Sequence, residues 1–444
     1  MRTGNDRFLL DCGLKFHESG FDYPAKVFEV RSVDGVFLSH AHLDHSGGLP
    51  FFEHYKMRCP IFCTAETDHI TQILLKDSHK IARIKHLHEA FSNLELKQVS
   101  QDIQKVAFNK ETQFRSIRYN FFNAGHIPGS ASVKIEAEGL SILYTGDYNT
   151  RKTALMEPAD PHTWGHVDVL ITECTYGMRT LPDRDELERK FLESVEEVIK
   201  RGGRVLVPVF AVGRAQEMLI ILGKRQWPVP IIMDGMAKKV TRAILDGPNP
   251  YVANKQLLSQ LFDKVEFVTS EDHRTAVAQK PGIFVTTSGM LQGGPAIHYL
   301  EHMWSDANSA VFLTGYQVKG TNGWMLDNER TAYVGGYRTH VQCEVHRFDF
   351  SGHLSNEDIQ NTIKAVQPRV LVLNHGNREA IEAIAAWAKQ NTKCEVFAPE
   401  IGEMLQLNDH STIMKVYEEC IGAECINEHQ HKNPHHPDTM ENDD

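Results

Sequence analysis

Strand and helix alternate along most of this 444-residue chain, and that alternation predicts an α/β fold with mostly parallel sheets. Two further observations support it. The first third is a series of short β segments separated by turns, and polar His and Asp residues stand directly after several apolar strand segments. With 41% hydrophobic and 24% charged residues the composition is that of a globular protein, which excludes collagen-like, fibrous and disordered classes. The length allows two or three domains, each able to bury a core.

In order along the chain, Val36–Leu38, Ile61–Cys63, Tyr119–Phe122 and Leu140–Tyr144 are apolar or alternating runs of strand length. The period changes at about Asp183. Leu187, Phe191, Val195 and Ile199 form a helical stripe closed by Gly202-Gly203. A strand at Val205–Val207, a helix opening at Arg214 and a strand over Val229–Ile232 follow. Further strands are expected at Val265–Val268, Ile283–Thr286 and Ala310–Thr314. After His353, helices around Asp358–Val366 and Glu379–Lys389 flank a strand at Val370–Leu373. Residues 421–444 carry six acidic side chains against Lys432, with almost nothing apolar beyond Ile426, and read as a disordered acidic, His-containing tail.

The net charge of −11 excludes a broadly basic nucleic-acid coat, so a polyanionic substrate needs a local patch or bound cations. No apolar run approaches the ~20 residues of a membrane span, and the polar start shows no secretory signal, so no membrane partner and a cytoplasmic location are expected. The eight cysteines form no Cys-x-x-Cys set, which disfavours a zinc ribbon or disulfide framework and suggests thiols in a reducing compartment.

The 24 histidines are the unusual feature, and their positions are informative. Ser39-His40-Ala41-His42-Leu43-Asp44-His45-Ser46-Gly47-Gly48 follows the strand Val36–Leu38. In extended chain His40 and His42 project to the same side. Four imidazole and carboxylate donors within six residues exceed the share one tetrahedral ion takes from so short a segment, and suggest two neighbouring ions. His126 follows Tyr119–Phe122, Asp147 follows Leu143-Tyr144-Thr145-Gly146, and His375 follows Val370–Asn374. Neighbouring strand ends of a packed sheet can converge on one point, as a dinuclear site requires.

These residues resemble the metallo-β-lactamase superfamily. Ile171-Thr172-Glu173-Cys174-Thr175-Tyr176-Gly177, Phe350-Ser351-Gly352-His353 and His375-Gly376 look like motifs A, B and C of its β-CASP nucleases, and the likeness runs from about Leu9 to Val416. The resemblance implies an αββα sandwich with an inserted α/β domain: residues 1–177 and 351–420 form the metallo-β-lactamase domain and 178–350 the β-CASP domain. It implies two Zn²⁺ ions, one held by His40, His42 and His126, the other by Asp44, His45 and His375, with Asp147 bridging them. Asp11 would orient a ligand from behind. Two such ions lower the pKa of a shared water and neutralise charge in the transition state of phosphodiester hydrolysis. Catalysis would rest on Asp44, on His353 as general acid, and on Glu173 holding His353 cationic.

The implied activity is zinc-dependent cleavage of single-stranded RNA, endonucleolytic, 5′-exonucleolytic or both, with a homodimer as a further association. Arg214, Ser288 and Gly289 are candidate substrate contacts, because backbone N–H groups at strand-to-helix turns bind anions, and Lys319 is a candidate for a basic rim. Two alternatives are a β-CASP DNA nuclease, in which motif C typically carries valine where this chain has His375, and a small-molecule metallo-hydrolase of the superfamily, which needs neither the insertion nor motifs A and B. Three departures stand out. Ser355 replaces an Asp often found after motif B, Asn377 replaces the Glu of His-Gly-Glu, and the chain reaches Asp11 without the usual longer N-terminal hairpin.

Overall fold

A computed structural model describes residues 1–17, 20–24, 32–55, 57–84, 91–407 and 414–417. The expected tail at 421–444 lies outside the described residues. Two compact units are present, residues 1–398 and 399–444. In the second, Glu403–Gln406 pairs antiparallel with Met414–Tyr417.

Two sheets face each other in the first unit. One has five strands in the order Arg2–Thr3, Asp6–Leu10, Gly35–Phe37, Ile61–Cys63, Ile103–Lys105. The other has seven, in the order Glu395–Phe397, Val370–Asn374, Val169–Glu173, Leu140–Tyr144, Ala131–Ala137, Ile117–Asn123, Thr112–Phe114. Side-chain alternation decides which residues meet between them. Phe8, Phe37 and Phe62 of the first sheet pack on Tyr119, Phe121, Val133 and Ile135 of the second. Val36, Leu38 and Ile61 turn outward and are covered by Phe52 and Val99 of the helices Pro50–His54 and Asn93–Asp102. On the far side, Leu143, Leu170, Leu371 and Leu373 are covered by Ile359, Ile363 and Ile384 of Asn356–Val366 and Arg378–Asn391. The result is the four-layer αββα arrangement that the sequence predicts.

A third sheet, of six parallel strands, is drawn from residues 205–347 in the order Glu266–Phe267, Ile231–Asp234, Ile283–Thr286, Val205–Pro208, Ala310–Leu313, Glu344–Arg347. Its central strands Val205–Pro208, Ile283–Thr286 and Ala310–Leu313 are buried on both faces and largely apolar, as central parallel strands must be. The edge strands Glu266–Phe267 and Glu344–Arg347 carry charged side chains. Val205, Val207, Val285 and Phe312 pack under Arg184–Lys200 and Arg214–Leu222, while Leu206, Phe284, Val311 and Leu313 pack under Pro295–Met303. The expected strand at Val229 starts two residues later, at Ile231, because Pro230 has no N–H to offer a ladder; its carbonyl accepts from Ile283 N–H instead.

Two of the sequence departures have structural roles. Ser355 caps the helix Asn356–Val366 in a capping box with Asp358, and Asn377 caps Arg378–Asn391 through the Ala380 N–H. Among the described residues no helix is long and apolar enough to cross a membrane.

Candidate metal and catalytic site

Every expected ligand follows a strand, and the strands deliver them to one place. Asp6–Leu10, Gly35–Phe37 and Ile61–Cys63 run parallel in one sheet, and Leu140–Tyr144, Val169–Glu173 and Val370–Asn374 run parallel in the other. Asp11, His40, Asp147, Glu173 and His375 therefore leave corresponding ends of paired strands. The two sheets are tied there by the Ala131 N–H to Ser39 carbonyl bond of 2.8 Å. Gly146, at φ +56°, makes the turn into Asp147; a Cβ on it would stand 2.6 Å from that of Ser39.

His40 Nε2 lies 3.2 Å from His42 Nδ1, and His126 Nε2 lies 3.3 Å from the same atom. His45 Nε2 lies 3.2 Å from His375 Nε2, whose other neighbour is Asp44 Oδ2 at 3.7 Å. Asp147 Oδ2 stands between the two sets, 3.6 Å from His40 Nε2, 3.8 Å from His126 Nε2 and 3.4 Å from His45 Nε2. The sets His40, His42, His126, Asp147 and Asp44, His45, His375 can each hold a cation.

The donor chemistry fits metal ions. Two nitrogens on a tetrahedral zinc with arms of about 2.05 Å are about 3.3 Å apart, close to the spacing within both sets. The outer ring nitrogens are committed elsewhere, which assigns the tautomers. Ser39 Oγ donates to Asp11 Oδ2 at 2.6 Å and accepts from His40 Nδ1 at 3.0 Å. His45 Nδ1 donates to Asp11 Oδ2 at 2.6 Å, and His126 Nδ1 donates to the Gly352 carbonyl at 2.9 Å. Thr175 Oγ1 donates to Glu173 Oε2 at 2.5 Å and accepts from His375 Nδ1 at 3.1 Å. Four imidazoles thus turn an Nε2 lone pair inward. Asp147 Oδ2 faces those of His40, His45 and His126, while its buried Oδ1 makes no hydrogen bond and has His375 Nδ1 as an ion-pair neighbour at 3.2 Å.

Charge states agree with ligand duty in the first donor set. Burial first, then the neighbouring imidazoles, hold His40 and His126 well below the usual histidine range, and burial lowers His42 too, so all three are neutral donors. In the second set burial would lower both rings, but Asp147 with Asp11 raises His45 well above the usual histidine range and Asp147 with Asp44 raises His375. These two rings carry a proton that a bound cation would displace. Asp147 is buried, which would raise its carboxyl, but His375 and His45 outweigh that and hold it ionised. Asp11, at φ +64°, accepts four bonds: from Ser39 N and Oγ, His45 Nδ1 and Tyr144 Oη, at 2.6, 2.6, 2.6 and 2.7 Å.

Next to the donor sets, His353 Nδ1 meets Glu173 Oε2 at 2.9 Å and lies 3.9 Å from Asp147 Oδ2. Burial would lower this imidazole, but the Glu173 carboxylate, then Asp147 and Asp44, raise it to about 9. Glu173 is itself fixed, accepting the Tyr148 N–H at 2.9 Å through Oε1. Asp44, His375 and His353 form the open rim of the site, their side chains 40%, 30% and 22% exposed, whereas His40 is fully buried.

The expected substrate contacts are placed differently. Arg214 is turned inward, paired with Glu217 and near the Phe350 ring, so its charge lies behind the surface instead of forming a free arm. Ser288 Oγ closes its own loop, donating to the Gly293 carbonyl at 3.2 Å. Gly289 is buried behind Phe210, and Lys319 is exposed. Sequence reasoning passed over Ser39, Thr175 and Tyr144. The first two lie within the motifs and can be read as hydroxyls beside ligands; Tyr144 is 133 residues from Asp11, and nothing local announces the contact.

A fold of two facing sheets with a His/Asp cluster at their strand ends, interrupted by a six-stranded α/β insertion, defines a class of metal-dependent hydrolases. Residues 1–171 match the metallo-β-lactamase superfamily domain, 215–326 the β-CASP domain, and 338–399 the Zn-dependent metallo-hydrolase RNA specificity domain. The chain belongs to the β-CASP branch of the metallo-β-lactamase superfamily. Among its relatives is a Methanocaldococcus jannaschii protein named "Probable RNase MJ4", 36% identical over 92% of this chain and 96% of the relative. "RNase aCSPSF2" of Saccharolobus solfataricus is 33% identical over 90% and 80%, and "Cleavage and polyadenylation specificity factor 73" of Drosophila melanogaster 30% over 85% and 57%. A solved structure of a protein of unknown function from Enterococcus faecalis shares the fold, with a TM-score of 0.51 at 14% identity over 86% of this chain and 81% of that one.

Proposed function

We propose that this protein is a zinc-dependent ribonuclease that hydrolyses phosphodiester bonds of single-stranded RNA. The observation that carries the reading is the shared Asp147: two donor sets meet at its carboxylate, and the Glu173–His353 pair lies beside it. The names of the relatives and the RNA specificity domain match support RNA as the substrate. His40, His42 and His126 would hold one zinc and Asp44, His45 and His375 the other, with Asp147 common to both. When bound, two such ions supply a nucleophilic water at neutral pH and positive charge for the phosphoryl oxygens.

The remaining chemistry belongs to the protein. His353, kept cationic by Glu173 at Nδ1, donates a proton to the leaving ribose oxygen from Nε2. Asp11 and Thr175 keep His45 and His375 in the tautomers that leave Nε2 unprotonated. Asp44, on the open rim, faces the approaching strand and limits where the phosphate can sit.

The test is cleavage of end-labelled single-stranded RNA and DNA, with and without chelator, with His353→Ala as control. RNA cleavage that chelator abolishes and His353→Ala slows about 10²- to 10⁴-fold is expected. Chelator-insensitive cleavage, or full activity in the variant, would overturn the mechanism, and metal analysis well below two ions per chain would overturn the paired-ion assignment.

A further inference from the structure

A row of side chains runs outward from His353 and takes no part in the steps above. Tyr176 lies edge-on to His353 with ring centres 5.8 Å apart. The Arg179 guanidinium is 5.0 Å from the centre of the Tyr176 ring and 5.7 Å from that of Tyr316, so a cation is held between two aromatic rings. Tyr316 follows the strand Ala310–Leu313 and is 47% exposed; Phe210 follows the neighbouring parallel strand Val205–Pro208 and is 36% exposed.

Phe210 is seated, not loose. Its ring rests on Gly289 and Gly315, where an added Cβ would stand 3.3 and 3.0 Å from ring atoms. Gln317 Nε2 clamps the two loops beneath it, donating to the carbonyls of Gly289 and Gly315 at 3.1 Å each. Single exposed aromatics are ordinary on protein surfaces. Here two exposed rings stand at neighbouring strand ends, one supported from beneath and the other reached from a proton donor through an arginine between two rings. Single-stranded nucleic acid uses such an arrangement: flat faces for bases and a positive charge for the backbone.

We propose that Tyr316 and Phe210, with Arg179 held between Tyr316 and Tyr176, form the stacking platform for bases of single-stranded RNA adjoining the scissile phosphate; the proposal rests on the ribonuclease reading. Because every base has a π face, the platform holds a strand without selecting its sequence.

The test uses the metal-loaded His353→Ala protein, which binds without appreciable cutting, and a fluorescent 12-nucleotide single-stranded RNA followed by anisotropy. Adding Tyr316→Ala weakens binding about 5- to 150-fold, the cost of one base–aromatic stack. Tyr316→Phe keeps the affinity, since the ring and not the hydroxyl does the stacking. An abasic nucleotide scanned along the RNA lowers affinity at one or two adjacent positions, and that loss disappears in Tyr316→Ala. A flat abasic scan, which needs no platform variant, overturns the platform, as do losses that add at every position. If the protein with His353 intact cuts this RNA while its affinity ignores Tyr316 and Phe210, the platform alone fails. If it neither binds nor cuts the RNA, the ribonuclease reading fails and the platform with it.

Discussion

Asp11→Asn probes the support behind the ligands with almost no change of shape. Asn tolerates the left-handed φ of +64° at this position, so the backbone is not the variable. The carboxylate accepts at both oxygens: Oδ1 from Ser39 N–H, and Oδ2 from Ser39 Oγ, His45 Nδ1 and Tyr144 Oη. An amide has one acceptor. If its oxygen takes the Oδ2 place, the NH₂ confronts Ser39 N–H, and a buried donor is left unpaired at a cost of about 1–3 kcal/mol. If it takes the Oδ1 place, the NH₂ confronts His45 Nδ1, which must become the acceptor and send its proton to Nε2, the atom facing His375 and Asp147. The first orientation unsettles Ser39 behind His40 and the second mis-sets His45, so one donor set or the other loses its support. The expected loss of metal affinity is about 10- to 100-fold. Competitive chelator titration measures the affinity, and urea unfolding of the metal-free protein measures the stability. Affinity within two-fold of the parent, together with an unchanged unfolding midpoint, would refute the reasoning.

Three other expectations follow from the same geometry. Glu173→Gln removes the anion that raises His353, so the alkaline limb of the kcat profile moves to lower pH while bound metal is retained; an unmoved limb would exclude the pair as the proton source. Gly146→Ala places a Cβ 2.6 Å from that of Ser39 at a positive φ and should cost about 2–4 kcal/mol in urea unfolding; a cost below about 0.5 kcal/mol would show that the Asp147 turn relaxes freely. Burial would raise Asp306, but Ser309, Arg204 and the Asn308 N–H outweigh it and hold the carboxyl below its usual 3.8. The stability this contributes is present above the ordinary carboxylate pKa and is lost as pH falls through the lower folded value. The gap between the parent and Asp306→Asn in chemical unfolding should therefore shrink on going from pH 6 to pH 3, and a constant gap would be inconsistent with that account.

The local chemistry of this protein is written in its sequence. Short apolar runs mark the central strands, because those are buried on both faces and admit mostly Val, Ile, Leu and Phe. The positions of His40, His42, Asp44 and His45 after one such run announce a metal site, since no ordinary turn concentrates ligands in that way. Motif likeness extends the set to His126, Asp147, Glu173, His353 and His375. The tertiary structure decides what period and spacing cannot express: which ring nitrogen faces inward, and what holds it. Tyr144 reaches Asp11 across 133 residues, Gly352 receives His126 across 226, and Glu173 meets His353 across 180. The same holds for Arg214, whose position beside a turn suggests an exposed contact until Glu217, one turn along the helix, takes its charge. A sequence carries residue type and local direction, whereas a tautomer, a buried pair or a row of stacked rings depends on distant strands ending side by side.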